Sequence, residues 1–251
     1  MSPQSERSVP DDGLPDVQPT DRAVRRLPDV TAPSMRSDAG RTTASGEHAK
    51  GTLVKSVVVG LRALHGEEGR APAALEARLS KEAFALLDEE TIGVRWYPIA
   101  PYCELVDLFW ELAGHRDPAF MREAGRAGAR LLIDSGIYRS YVETSRRPTG
   151  EAVERAIRGA RIAVGLTYML YDFVEVEVDH DADHDLLVLT YRNVSSFSEA
   201  LFLGTQGFLD AFAAELRMLG DDVGPDEVRW RAERPSRDRF VLSLSLDRLR
   251  S

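Results

Sequence analysis

The sequence predicts an α+β fold in which an N-terminal group of helices precedes a four-stranded antiparallel sheet. The sheet is expected to consist of two hairpins with a long helix between them. Two kinds of hydrophobic spacing carry this prediction. Apolar residues recur every three to four positions in the first half of the chain, as in amphipathic helices. Nearer the C-terminus they alternate with polar residues or form short β-branched runs, as in strands.

Five helices are predicted before the first hairpin, and they begin at about Leu53, Ala73, Pro101, Ala119 and Ala152. Ser80 can start a second short turn within the second helix, because serine caps helix N-termini. Pro101 occupies a first helical turn, where proline is tolerated. Gly125, Gly128 and Ala129 predict that the fourth helix packs closely against a neighbour.

The four strands are predicted at residues 173–178, 186–191, 228–232 and 240–246. A polar turn over 235–238 joins the last two, and an amphipathic helix over 198–219 separates the hairpins. Glu175 and Glu177 share one face of the first strand. An acid/base pair is one interpretation of them, but their alternation with apolar residues favours a solvent-facing side of the sheet.

Residues 1–48 are rich in Pro, Ser, Asp, Arg, Thr and Gly and have no periodic apolar face, which predicts a disordered tail. Residues 49–251 are then expected to form a single domain, since about 200 residues suit one core of ordinary size. The chain has 43% hydrophobic and 29% charged residues, which is ordinary for a folded soluble protein.

Composition also argues against several classes of protein. No run approaches the ~18 apolar residues of a membrane span, and the N-terminus lacks a secretory pattern, so a cytoplasmic location is expected. A formal net charge of -9 disfavours nucleic-acid binding, which requires a surplus of Lys and Arg. Cys103 is the only cysteine, so neither an internal disulfide nor a multi-thiolate metal site can form within one chain.

Three stretches have a familiar arrangement. Trp96-Tyr97-Pro98 leads into a helix that ends at Gly114, Asp117-Pro118 precedes the small-residue helix, and the C-terminal part has the order strand pair, long helix, strand pair. With these stretches the chain, over Gly51 to Leu246, resembles the superfamily that joins H-NOX-like (haem-nitric-oxide-binding) domains with 4-vinyl reductase domains. More narrowly, it resembles a myxobacterial paralogue family with that fold.

The resemblance implies a pocket between helices and sheet for small ligands, and a surface for dimerisation or protein contacts. Two departures remove the family's known cofactor sites. Residues 231–239 contain no cysteine, and Tyr138-Arg139-Ser140-Tyr141-Val142 ends in valine where a haem-propionate arginine would stand. No cofactor is therefore predicted.

Aromatic side chains are the candidates for an apolar ligand pocket, because such pockets combine apolar walls with a few polar anchors. The predicted ligand-binding residues are Tyr97, Tyr102, Phe109, Trp110, Phe202 and Phe208. Ordinary core packing is the alternative for each of them.

His180 and His184 lie in an Asp-rich segment between two predicted strands, where imidazole and carboxylate groups could bind a divalent metal. A solvated turn is the alternative. His65 and His115 each lie beside a glycine at a predicted helix end, where capping explains them.

No nucleophile elbow, phosphate-binding Gly-rich loop or zinc-protease spacing is present in the sequence, so no enzymatic activity is predicted. The leading hypothesis is a non-catalytic cytoplasmic sensory or scaffolding domain that binds a small apolar ligand, a protein partner or a second copy of the chain. The alternative is a purely structural interaction module with a filled core. A metal-binding or enzymatic role ranks third.

Overall fold

The structure, a computed structural model, describes residues 25–26, 46–64, 73–134, 152–216, 218 and 228–247. The helices in this part are α1 (Gly51–Leu64), α2 (Ala73–Glu76), α3 (Lys81–Asp88), α4 (Ile99–Gly114), α5 (Pro118–Asp134), α6 (Ala152–Leu170) and α7 (Glu199–Glu215). The strands are β1 (Arg25–Arg26), β2 (His48–Lys50), β3 (Trp96–Pro98), β4 (Glu175–Asp181), β5 (Leu186–Arg192), β6 (Arg231–Ser236) and β7 (Arg239–Ser245).

The main sheet is antiparallel and has the strand order β1-β4-β5-β7-β6. The predicted α+β class, with a four-stranded sheet of two hairpins and a long helix between them, is therefore confirmed. β1 is a two-residue addition at the edge, where Arg25 pairs with His180 and Arg26 with Asp179. β2 and β3 form a separate two-stranded ribbon that the sequence did not predict.

β1 and the start of β2 lie within the stretch 1–48, most of which lies outside the described residues. The division into a tail over 1–48 and a single domain over 49–251 stays a prediction. His65 and the segment Tyr138 to Val142 also lie outside the described residues, so nothing structural is added to their interpretation.

One face of the sheet carries the core. The buried residues of β5 and β7 face each other across the strands, in the pairs Leu187–Leu244, Leu189–Leu242 and Tyr191–Phe240. Tyr191 and Phe240 stack with their ring centroids 4.3 Å apart. The opposite face of β4 presents Glu175 and Glu177 to solvent, as their alternation with apolar residues predicts.

α5 and α7 cross so closely that backbone meets backbone. A Cβ atom at Gly125 would overlap the Gly204 carbonyl oxygen, and one at Gly207 would overlap the carbonyl oxygen of Arg122. The predicted close packing of α5 is therefore confirmed at Gly125. Gly128 contributes nothing to it, because a Cβ there would meet open space.

Element boundaries differ from the predicted ones where tertiary contacts compete with local pattern. β6 begins at Arg231 instead of residue 228, because the Trp230 N–H is bound to the Asp210 carboxylate of α7 and cannot take part in the ladder. The turn before β7 is the two-residue Arg237–Asp238, and the register shift between Glu233 and Ser236 accommodates Pro235 within the strand.

Candidate functional site: a charged groove at the start of α7

An open groove of about 680 Å³ lies where α4, the start of α7 and the β6–β7 hairpin meet. Its first wall is one face of α4, its floor is the segment before α7, and its second wall is the β6–β7 hairpin. It is lined by Ala100, Cys103, Glu104, Asp107, Ser195, Ser196, Phe197, Ser198, Arg234, Ser236 and Arg237.

The α4 wall follows from helical periodicity, because positions 100, 103, 104 and 107 repeat at the spacing of one helix face. Cys103 is 7% exposed and donates its thiol hydrogen to the Ser196 carbonyl oxygen, with Sγ and O 3.3 Å apart. Burial raises the pKa of this thiol to about 11, against an opposing hydrogen bond from the Ser198 N–H. The thiol is therefore protonated at neutral pH, and it ties α4 to the groove floor.

Two carboxyl groups stand on the same wall. The Glu104 Oε2 atom accepts a hydrogen bond from the Ser80 N–H at 2.9 Å, just before α3 begins. Asp107 is half-buried, and this desolvation raises its pKa. A hydrogen bond from Ser198 and the nearby charge of Arg116 both oppose that rise. Asp107 is therefore a carboxyl group whose charged form is poorly solvated.

The floor is built around the N-cap of α7. Ser198 has extended backbone angles, and its Oγ atom accepts a hydrogen bond from the Leu201 N–H at 3.3 Å. The start of the predicted helix over 198–219 is therefore confirmed. Ser198 also opposes the rise in the pKa of Asp107, so the cap of α7 lies close to the α4 wall.

The second wall carries two arginines. Nη2 of Arg234 donates to three backbone carbonyl oxygens, those of Phe197 at 2.8 Å, Arg237 at 3.0 Å and Val194 at 3.3 Å. Arg237 is exposed and donates its Nε–H to the Ser195 carbonyl oxygen at 3.3 Å. The hairpin is thus fastened to the groove floor by arginine side chains.

Two buried polar atoms at this groove have no hydrogen-bond partner in the part of the chain that the structure describes. They are the Ser196 Oγ atom and the Arg234 Nε atom. Buried polar groups in proteins are nearly always paired, so each such atom calls for an explanation. Both atoms are shielded by the protein around them, so they belong to the packing beneath the groove lining and are not donors open to it.

Three of the six predicted aromatic ligand-binding residues are Tyr or Trp, and none of them lines this groove. The Tyr97 hydroxyl accepts a hydrogen bond from the Ile92 N–H at 2.9 Å. The Trp110 Nε1–H donates to the Asp117 carbonyl oxygen at 2.8 Å. Tyr102 is 4% exposed, and burial raises the pKa of its hydroxyl. The polar atoms of Tyr97 and Trp110 are thus hydrogen-bonded within the protein, and the Tyr102 side chain is buried.

The three phenylalanines among the six also lie away from the groove lining. Each packs against another phenylalanine ring, in the pairs Phe109–Phe120 at 5.4 Å, Phe202–Phe240 at 5.2 Å and Phe208–Phe212 at 5.8 Å between centroids. These contacts describe core packing. An apolar ligand pocket formed by the six aromatic residues stays a prediction.

His180 and His184 occupy different settings. His180 lies in β4 opposite the buried Leu187, and its Nε2 atom is buried without a partner in the described residues. His184 is exposed in the turn, with Nδ1 2.8 Å from Asp181 Oδ2. Within the described residues no group of three or more His, Cys, Asp or Glu side chains is arranged to hold a metal ion. Metal binding by the two histidines stays a prediction.

His115 ends α4. It adopts a left-handed conformation with φ of 48°, and its backbone N–H donates to the Trp110 carbonyl oxygen. This agrees with the predicted helix-end position, although the backbone of His115, not its ring, makes the capping contact described here.

The sequence analysis did not identify the groove residues. One signal was available, because Glu104 and Asp107 interrupt the largely apolar face pattern of α4 at a spacing that places them together. Nothing in local spacing related the serines before α7 to α4 or to Arg234.

No helix in the described ranges is both long and apolar enough to cross a membrane.

Comparisons with known proteins give a structural likeness only. No protein-family model and no curated protein matches the chain. Among solved structures, a mutant H-NOX domain of T. tengcongensis has a TM-score of 0.47 and 14% identity, over 78% of this chain and 96% of that one. A Cs H-NOX mutant containing 4-cyano-L-phenylalanine has a TM-score of 0.47 and 13% identity, over 78% and 95% of the two chains.

An oxygen-binding H-NOX domain related to soluble guanylate cyclases has a TM-score of 0.44 and 14% identity, over 78% of this chain and 92% of that one. With TM-scores below 0.5, these likenesses carry no argument about what this chain binds. The α+β class assigned above rests on the chain's own topology.

Proposed function

We propose that this chain is a non-catalytic, ligand-binding domain of the sensory type, with its ligand in the groove between α4, the start of α7 and the β6–β7 hairpin. The observation that carries the proposal is the groove itself. Its volume of about 680 Å³ lies within the ~300–1,000 Å³ of small-molecule sites. Its charged and hydroxyl lining favours a polar ligand over the apolar one that the sequence predicts.

The chemistry of Cys103 supports binding instead of covalent catalysis. A nucleophilic cysteine requires a thiolate, which a lowered pKa provides. Here burial raises the pKa to about 11, and the thiol donates to the Ser196 carbonyl oxygen. The group therefore acts as a structural contact at the edge of the ligand site.

The position of the groove suits a sensor. Its floor includes Ser198, the N-cap of α7, and α7 is the helix that crosses α5 with backbone contact at Gly207. A ligand that changes the hydrogen bonds of the floor would act directly on α7. A closely packed helix pair passes a displacement on instead of absorbing it.

The proposal is tested by screening water-soluble metabolites for a rise in melting temperature of the full chain. Ala100→Trp fills the groove rim without removing a side-chain hydrogen bond, because Ala100 is exposed at the start of α4. Ala119→Trp is the matched control, since Ala119 is exposed in the first turn of α5 and does not line the groove. A ligand of the groove stabilises wild type and Ala119→Trp but not Ala100→Trp.

Equal stabilisation of all three proteins by every hit, or the absence of any hit, contradicts the proposal.

The second candidate is the interaction module with a filled core, which the close ring pairs Phe109–Phe120 and Phe202–Phe240 favour. Native mass spectrometry distinguishes the ligand-binding domain from the interaction module. An interaction module should form a stable homo-oligomer or carry a bound protein, and it should carry no ligand in the groove. The relation to a myxobacterial or 4-vinyl reductase-like family stays a prediction from the sequence.

A further inference from the structure

The two walls of the groove carry opposite charges. Glu104 and Asp107 stand on the α4 wall, and Arg234 and Arg237 on the hairpin wall. Among the ion pairs of the described residues, none joins one of these acids to one of these arginines. The opposite charges therefore line the same open space without forming an ion pair.

The arginine wall is prepared for a carboxylate. Three backbone carbonyl oxygens hold Arg234 in place through its Nη2 group, so Arg234 contributes a fixed positive charge to this wall. The exposed Arg237 makes one hydrogen bond in the described part of the chain, through Nε to Ser195. Guanidinium groups bind carboxylates through paired N–H donors, and the Nη groups of the exposed Arg237 are the donors open to the groove.

The acidic wall is prepared for an ammonium group. Asp107 is half-buried, and Ser198 and the charge of Arg116 both oppose the rise in its pKa that burial causes. Glu104 uses one oxygen for the Ser80 N–H and lies one turn of α4 before Asp107. A cation between these carboxyl groups would replace the water that Asp107 loses on burial.

Resting on the ligand-binding function proposed above, we infer that the groove takes a zwitterionic ligand of the amino-acid or short-peptide type. Its ammonium group lies against Asp107 and Glu104, and its carboxylate lies against Arg237 and Arg234. The volume of about 680 Å³ leaves room for a side chain or a second residue.

Isothermal titration calorimetry on the full chain tests this ligand class. The probes are the twenty free L-amino acids, di-L-alanine and tri-L-alanine, so that the separation of the two charges varies. For each probe that binds, its N-acetyl and C-terminal amide derivatives each remove one charge. We expect at least one zwitterion to bind the protein. Both of its derivatives should bind the protein at least tenfold more weakly than the zwitterion does.

Two variants assign the charges to their walls. Asp107→Asn should make the N-acetyl derivative bind as well as the parent compound, and Arg237→Gln should do the same for the amide. The matched controls are Glu82→Gln, exposed on α3, and Arg239→Gln on β7, which do not line the groove and should keep the wild-type preference.

Binding of only the singly charged derivatives, or a preference that Asp107→Asn and Arg237→Gln leave unchanged, overturns the inference. So does the failure of all twenty-two zwitterions to bind. If another compound class then stabilises wild type but not Ala100→Trp, the ligand-binding function stands and only the ligand class is wrong. If no compound distinguishes those two proteins, both proposals are wrong.

Discussion

Arg126 of α5 donates an Nη2–H to the Asp210 Oδ2 of α7 at 2.9 Å, and the Asp210 side chain is only 2% exposed. The other oxygen of the same carboxylate accepts the Trp230 N–H at 2.9 Å. Burial raises the pKa of Asp210, although the Trp230 N–H and Arg126 favour its ionised form. One buried carboxylate thus joins α5, α7 and the segment before β6.

Arg126→Met should lower the free energy of unfolding by ~3–5 kcal/mol at pH 7, because it removes the nearer of the two arginines that pair with the buried Asp210 carboxylate. Urea unfolding followed by circular dichroism measures this loss. Arg130→Met on the exposed side of α5 is the control and should stay within ~0.5 kcal/mol of wild type. A loss below ~1 kcal/mol for Arg126→Met would show that water solvates Asp210.

Gly125→Ala should destabilise the protein by ~1–3 kcal/mol, since its Cβ would overlap the Gly204 carbonyl oxygen and push α5 away from α7. Gly128→Ala, on the same helix, meets open space and should stabilise the protein by ~0.5–1 kcal/mol through helix propensity. Chemical unfolding of both variants gives the comparison. The same sign for both would contradict the described crossing.

Asp107 and Glu111, one turn apart on α4, should affect stability with opposite dependence on pH. The folded pKa of Asp107 is raised by desolvation, so its contribution is greatest at acidic pH and is lost as pH rises above about 3.8. The folded pKa of Glu111 is lowered by hydrogen bonds from Arg116 and Arg78, so its contribution is present at neutral pH and is lost as pH falls through the folded pKa.

Unfolding of Asp107→Asn and Glu111→Gln between pH 4 and pH 7 measures this dependence against wild type. From pH 4 to pH 7 the stability of Asp107→Asn should rise relative to wild type, and that of Glu111→Gln should fall. Parallel curves for the two variants would contradict the environments described for these carboxyl groups.

Cys103 should resist alkylation in the folded protein. With its pKa raised to about 11, about one thousandth of the thiol is ionised at pH 8, and the side chain is 7% exposed. Iodoacetamide labelling followed by intact mass spectrometry should show slow modification in buffer and rapid modification in urea. Stoichiometric labelling of the folded chain within minutes would mean that the groove floor opens.

The metal prediction for His180 and His184 has its own test. Calorimetric titration of zinc or nickel into wild type and into His180→Ala/His184→Ala should give heat only for wild type if the two imidazoles bind the metal. Equal heats in both proteins would end the metal hypothesis.

Many of the helices and strands could be predicted because their signals are local. The N-caps at Ser80 and Ser198 confirm two predicted helix starts. The strands β4 and β7 confirm two predictions made from alternating apolar and polar residues. The ribbon β2–β3 could not be predicted, since three-residue strands leave no period to detect and their pairing joins His48 to the distant Pro98. Gly128 shows a further limit, because a small residue indicates close packing only if a neighbour lies on its side of the helix.

The sequence by itself determined the α+β class, the two hairpins and the long helix between them, because hydrophobic periodicity acts over a few residues at a time. Only the tertiary structure decided the groove, which brings Cys103 to Ser196 across 93 positions of sequence and sets Asp107 opposite Arg234 and Arg237. The physical reason is that a binding site requires side chains from separate elements to share a space. The docking of α4, α7 and the β6–β7 hairpin on one core defines that space.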